Sequence, residues 1–226
     1  MKKLIPFLWC FAVILLIELV LISNSEWWSY RIFSKPLVVG SILVFLLIQN
    51  VDKRTKNLVA AALSCGILGD VILIYARVSE PLFIFGVLAF LIGHIFYALQ
   101  FSRSRNKEIG IIAPLFVLLG YVMALLLYLR DSLYNLAIPV AVYIIVLMIM
   151  ILFAYVRDDS MTNNSYIYVL AGSLLFMLSN SILAITKFKS DIPYARILVM
   201  GIYGLAQLLM VIGIIKENLI TESKTL

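Results

Sequence analysis

Glu18, Asp70 and His94 are the ionisable side chains that fall inside long apolar runs of this sequence. Lys35 opens another run, and Asn180 and Gln207 are uncharged companions. An ionised Asp at the centre of a membrane helix costs about 2.5–3.5 kcal/mol on insertion scales, so such groups are functional candidates by default. A carboxyl there can deliver a proton, take one, or face a developing cation. Each has a plainer reading. Asp70 can simply pair with a basic residue such as Lys35, and Glu18 can pack or snorkel close to the interface. His94 shares a helical face with Tyr97 and Phe101, as either a hydrogen-bonded core histidine or a proton carrier. Tyr203 and Gln207, four apart, read as interhelical hydrogen-bonders, and Gly66 and Gly69 as close-packing positions, the latter leaving space beside Asp70.

The elements that must hold these groups are membrane helices. Of 226 residues, 64% are hydrophobic and 13% charged, with a mean hydropathy of +1.08. A soluble domain has about 45–50% apolar and about 25% charged residues, so a water-soluble globule is excluded, as is disorder. Runs long enough to cross a bilayer lie near 4–22, 33–50, 57–75, 82–101, 110–129, 135–156, 166–186 and 195–215. The expected fold is all-α: a polytopic transmembrane bundle of about eight helices forming a single integral membrane domain over 1–226. The first run reads as a retained helix, because Glu18 interrupts it and no A-x-A site follows. Cys10 and Cys65 lie inside apolar runs and read as small buried residues. A single histidine leaves little for a metal site or a serine-type triad.

The net charge of +6 sits in short connectors, where it signals topology and contact with lipid headgroups rather than nucleic acid. One side carries Lys2, Lys3, Lys53, Arg54, Lys56, Arg103, Arg105, Lys107, Arg157, Lys216 and Lys224. The other carries Arg31, Lys35, Arg77, Arg130, Lys187, Lys189 and Arg196. Eleven against seven places both termini in the cytoplasm, and the short loops suggest a bacterial inner membrane. In that orientation Glu18, Lys35, Asp70 and Asn180 fall within about 10 Å of the outer boundary, with His94 and Gln207 deeper. A pocket opening from the outer leaflet would gather them. LSCGILGDVILIYAR around Asp70 also echoes SLLFMLSNSILAITK around Asn180, four helices later. The echo suggests a parallel four-helix pseudo-repeat.

The order Lys35-Pro36, LGD at 68–70, GHIFY at 93–97 and LLFMLSNSILA at 174–184 resembles the lysoplasmalogenase, or YhhN-like, family. YGLAQLLMVIG at 203–213 fits that family's last helix. The resemblance implies a membrane hydrolase that cleaves the vinyl ether bond of lysoplasmalogens. The products are a fatty aldehyde and glycerophosphoethanolamine or glycerophosphocholine, and no cofactor or metal is expected. It also implies two working aspartates. Asp70 matches the first, while position 180, where the family has the second, is Asn180. Lys35 is the expected contact for the substrate phosphate. His94 and Tyr97, together with Tyr203 and Gln207, are expected in or just behind the pocket wall.

Vinyl ether hydrolysis requires protonation of carbon, by an acid that keeps its proton near neutral pH. Asp70 is the family-matched carboxyl that remains for this, since an amide cannot exchange a proton. Three readings stand: a weakened enzyme using Asp70 alone, a lipid-binding relative without turnover, or an inactivating substitution. A small-solute or lipid transporter is the rival class, although paired Gly/Pro interruptions are absent from the runs.

Overall fold

The computed structural model describes residues 3–76, 79–157 and 163–224. The α-helices among the described residues are α1 (Leu4–Ser23), α2 (Arg31–Leu47), α3 (Lys53–Tyr75), α4 (Glu80–Ser102), α5 (Ile112–Leu133), α6 (Ala137–Tyr155), α7 (Asn163–Phe188) and α8 (Ala195–Lys224). Each corresponds to one of the apolar runs. Seven stretches are long and apolar enough to cross a membrane, and one of these, Ile112–Tyr155, contains both α5 and α6. Lys2 and Arg77, which enter the charge count, lie outside the described residues.

Local chemistry sets the helix ends. The Asp52 carboxylate caps α3 by accepting from the backbone N–H groups of Arg54 and Thr55 at 3.0 and 3.1 Å. The cap draws Lys53–Lys56 into the first turn of α3, so the helix begins before the apolar run does. Between α5 and α6 the chain turns at Tyr134, whose φ of 43° and ψ of −123° no helix continues through. Beyond it the two helices lie side by side. Tyr121 of α5 and Tyr143 of α6 donate to adjacent residues of α7, Ser181 and Asn180, at 2.7 and 2.8 Å.

The bundle is apolar outside and polar inside. Trp9 and Phe116 are 72% and 69% exposed, whereas Glu18 and Asp70 are 0% and 1% exposed. Water would reverse that order, and lipid favours it. The same inversion corrects the reading of the cysteines: Cys10 is exposed on α1 and Cys65 is half-buried. An apolar run in a membrane helix faces lipid as readily as it faces the core. Close packing concentrates in two antiparallel pairs. A Cβ on Gly69 of α3 would stand 2.7 Å from the Phe90 ring of α4. One on Gly172 of α7 would meet the backbone of α8 at Ala206 O, 2.8 Å away, and at Met210 N, 2.9 Å away.

Candidate functional site

A cavity of about 410 Å³ lies at the end of the bundle where α1 connects to α2, α3 to α4 and α7 to α8. Every helix contributes to it, from Ile22 of α1 to Tyr203 of α8. Its wall is mostly apolar, with Leu73, Val87, Phe90, Val122, Leu147 and Phe176 prominent. Such a chamber suits a lipid chain, with a few polar groups left to fix its orientation.

Those polar groups begin on α2. Arg31 and Lys35 are four residues apart and therefore lie on one face of the helix. Each meets a carboxylate from a neighbouring helix. The Lys35 ammonium stands 3.1 Å from Asp70 Oδ1 and also donates to the Asp70 backbone carbonyl at 3.2 Å. Tyr203 donates its hydroxyl proton to the other carboxylate oxygen, Oδ2, at 2.9 Å. The Tyr203 ring is fixed in turn by edge-on contacts with Phe90 and Phe176, at 5.8 and 5.4 Å between centroids. Asp70 thus has both side-chain oxygens engaged, on the wall of the cavity.

One turn earlier, Arg31 donates from Nη2 and Nε to Glu18 Oε1 at 2.6 and 2.9 Å, and Ser34 donates to Oε2 at 2.5 Å. Of the two plain readings of Glu18, packing or snorkelling, the second is corrected: the side chain is buried. With a guanidinium available from α2, the carboxylate is satisfied inside the bundle and has no need to reach the interface. Arg31 also lies 4.2 Å above the Trp28 ring, and both line the cavity.

Asn180 reaches the same cavity from α7. Its Oδ1 accepts from the Tyr143 hydroxyl at 2.8 Å, and its Nδ2 donates to the Phe176 carbonyl at 2.8 Å. The two members of the sequence echo, Asp70 and Asn180, therefore share one chamber. Asn180 is held as a neutral group that accepts on one side and donates on the other.

Of the sequence-predicted residues, Lys35, Asp70, Asn180 and Tyr203 line the cavity. His94, Tyr97 and Gln207 stand behind its wall. Tyr97 donates to Gln207 Oε1 at 2.6 Å. His94 packs edge-on against Phe176 and Tyr143, at 4.7 and 5.3 Å, and neither ring nitrogen has a hydrogen-bond partner among the described residues. It is buried by aromatic contact rather than by hydrogen bonds. Sequence reasoning missed Tyr143, the partner of Asn180, and the basic pair Lys187 and Arg196 at the cavity's edge. Tyr143 gave no polar signal because it sits in the middle of an otherwise apolar run. Among the described residues, no three His, Cys, Asp or Glu side chains converge.

Searches among curated proteins and among solved structures find no match to the chain. A family model described as the YhhN family matches residues 30–214. The match runs from the start of α2 into α8, takes in Arg31, Lys35, Asp70, Asn180 and Tyr203 of the cavity wall, and covers most of the chain. The chain belongs to the YhhN family.

Proposed function

We propose that this protein is a lysoplasmalogenase-type ether hydrolase. Its substrate is a lysoplasmalogen, and its products are a fatty aldehyde and glycerophosphoethanolamine or glycerophosphocholine. The observation that carries this reading is the buried Asp70 carboxylate, gripped by Lys35 and Tyr203 on the wall of an apolar chamber. The family membership is consistent with it.

The chemistry assigns the groups. Asp70 in its protonated form gives its proton to the β-carbon of the vinyl ether, which leaves an oxocarbenium ion facing the Asp70 carboxylate. A fixed carboxylate beside that cation lowers its energy without having to reorganise. Water then adds to the cationic carbon, its surplus proton is taken up by a base, and the hemiacetal collapses to aldehyde and alcohol. One proton leaves the protein and one returns, so the resting state is restored. Asp70 is the group for all three steps: the acid, the carboxylate that then faces the cation, and the base that takes the proton from water. Lys35 and Tyr203, both touching it, complete the network through which the proton circulates.

Asn180 supplies no proton. A protonated carboxylic acid at position 180 would reproduce its pattern, donating to the Phe176 carbonyl and accepting from Tyr143. Asn180→Asp is therefore expected to add an acid to the chamber. The same residue favours a second reading, in which the family scaffold binds lysolipid without turning it over.

The test is aldehyde release from a vinyl-ether lysophospholipid by purified protein in detergent, with wild type beside Asp70→Asn and Asn180→Asp. Release by wild type, its loss in Asp70→Asn and a gain in Asn180→Asp are expected. Release undiminished in Asp70→Asn refutes the assigned role. Aldehyde from Asn180→Asp alone selects the second reading. Silence from all three folded proteins removes hydrolysis and leaves lipid binding or transport.

A further inference from the structure

Lys35 is committed twice to Asp70, through its side-chain carboxylate and its backbone carbonyl, and Arg31 is committed to Glu18. Each of these cations is already matched by a buried carboxylate. Two other cations line the same cavity, Lys187 in the last turn of α7 and Arg196 in the first turn of α8. Both are exposed. Among the described residues, no carboxylate forms an ion pair with either. Lys187 lies 5.2 Å from the centre of the Phe83 ring, and Arg196 lies 5.8 Å from that of Trp28.

Arg196 is electrostatically misplaced for its own helix. The N-terminus of a helix carries partial positive charge and favours an anion. Yet α8 has no acidic residue in its first turn and places an arginine there. An anion at the start of α8 would satisfy the helix end and the guanidinium, and Lys187, which lines the same cavity, adds to the positive field there. A cationic group is disfavoured at the same spot, because the Trp28 ring that could receive it already faces Arg31 and Arg196.

We infer that Lys187 and Arg196 form the subsite for the phosphate of a single-chain phospholipid, whose chain occupies the apolar cavity beneath. The choice of lipid rests on the proposed function, whereas the charge recognition does not. The geometry moves the phosphate contact away from Lys35, which stays with the reacting carboxylate, and out to the rim. The glycerol carbons of such a lipid would then pass between the rim and Asp70.

The experiment is a binding measurement without turnover. The probes are a saturated alkyl-ether lysophosphatidylethanolamine, the matching alkylglycerol without phosphate, and glycerophosphoethanolamine without a chain. Each is titrated in detergent against wild type, Lys187→Gln/Arg196→Gln and the charge-keeping Lys187→Arg/Arg196→Lys. The neutral double variant is expected to lose at least tenfold in affinity for the lysophospholipid. Its alkylglycerol affinity should be unchanged, and the charge-keeping variant should recover most of the loss. Equal losses for lysophospholipid and alkylglycerol, or no loss for either, overturn the subsite. Glycerophosphoethanolamine binding as tightly as the lysophospholipid would overturn the lipid and point to a soluble phosphoester. If aldehyde release fails while phosphate selectivity holds, the hydrolase reading falls and the subsite stands.

Discussion

Lys35 Nζ lies 3.1 Å from Asp70 Oδ1 and 3.2 Å from the carbonyl oxygen of the same residue, so one ammonium fixes both the side chain and the backbone of Asp70. The contact joins the cavity-facing ends of α2 and α3. Removing either partner leaves the other buried and unpaired, which is costly in low dielectric. Lys35→Met and Asp70→Asn are each expected to lower thermal stability in detergent. The double variant should be more stable than the sum of the two losses allows. Strictly additive losses would show that the two charges are not coupled. In the aldehyde assay both single variants are expected to fall by about 10²-fold or more, the scale of a lost acid–base group.

Tyr203→Phe tests the other grip on Asp70. The ring's contacts with Phe90 and Phe176 survive the change, and only the 2.9 Å donation to Oδ2 is lost. A hydrogen bond to a charged group contributes about 1.5–3 kcal/mol. If it matters equally in the transition state, turnover should fall by roughly 10- to 100-fold. The protein should remain folded by size-exclusion profile. Unchanged turnover would remove Tyr203 from the proton network.

The helices were legible because twenty-residue apolar runs admit almost no other structure. Asp70 and Asn180 were legible because polar atoms within such runs carry a price in lipid. Of the pairings, Lys35 with Asp70 was legible as a plain ion pair, whereas Glu18 with Arg31, Tyr143 with Asn180 and Tyr203 with Asp70 were not, since nothing in the sequence turns those side chains toward one another. Hydropathy places a residue at a depth along its helix and leaves open the direction it faces. By its position Arg31 therefore reads as a loop charge, although it is buried against Glu18. Cys10 likewise reads as buried from its apolar run, although it faces outward.

The Glu18–Arg31 pair predicts a stability effect separable from chemistry. Its side chains are 0% and 4% exposed, and breaking a buried pair by removing one partner costs about 3–5 kcal/mol. Glu18→Gln is expected to lower the unfolding midpoint clearly. Glu18→Gln combined with Arg31→Met should recover part of the loss, because no uncompensated guanidinium remains. Thermal unfolding followed by circular dichroism reads both. A double variant no better than Glu18→Gln would show that Arg31 contributes through packing on Trp28 rather than through charge.

Glycine positions give the sharpest contrast in sign. On Gly172 a Cβ would stand 2.7 Å from the Met210 side chain, 2.8 Å from the Ala206 carbonyl oxygen and 2.9 Å from the Met210 nitrogen. Two of those atoms are backbone and cannot swing away, so Gly172→Ala must push α7 and α8 apart. Overpacking of this kind costs typically about 1–3 kcal/mol. Gly120 lies in the interior of α5, with nothing within 4 Å of its Cβ position. Alanine there removes only the conformational freedom that glycine loses on folding, a gain of about 0.4–1 kcal/mol. The expected outcome is a lower unfolding midpoint for Gly172→Ala and an equal or higher one for Gly120→Ala. Because Ala206 precedes Gln207 on α8 and Tyr203 lies one turn earlier, the displacement should also reach the Tyr203–Asp70 hydrogen bond. Gly172→Ala should accordingly lose turnover beyond its loss of folded protein, whereas Gly120→Ala should retain it. Equal midpoints for the two variants would contradict the close approach of α7 and α8.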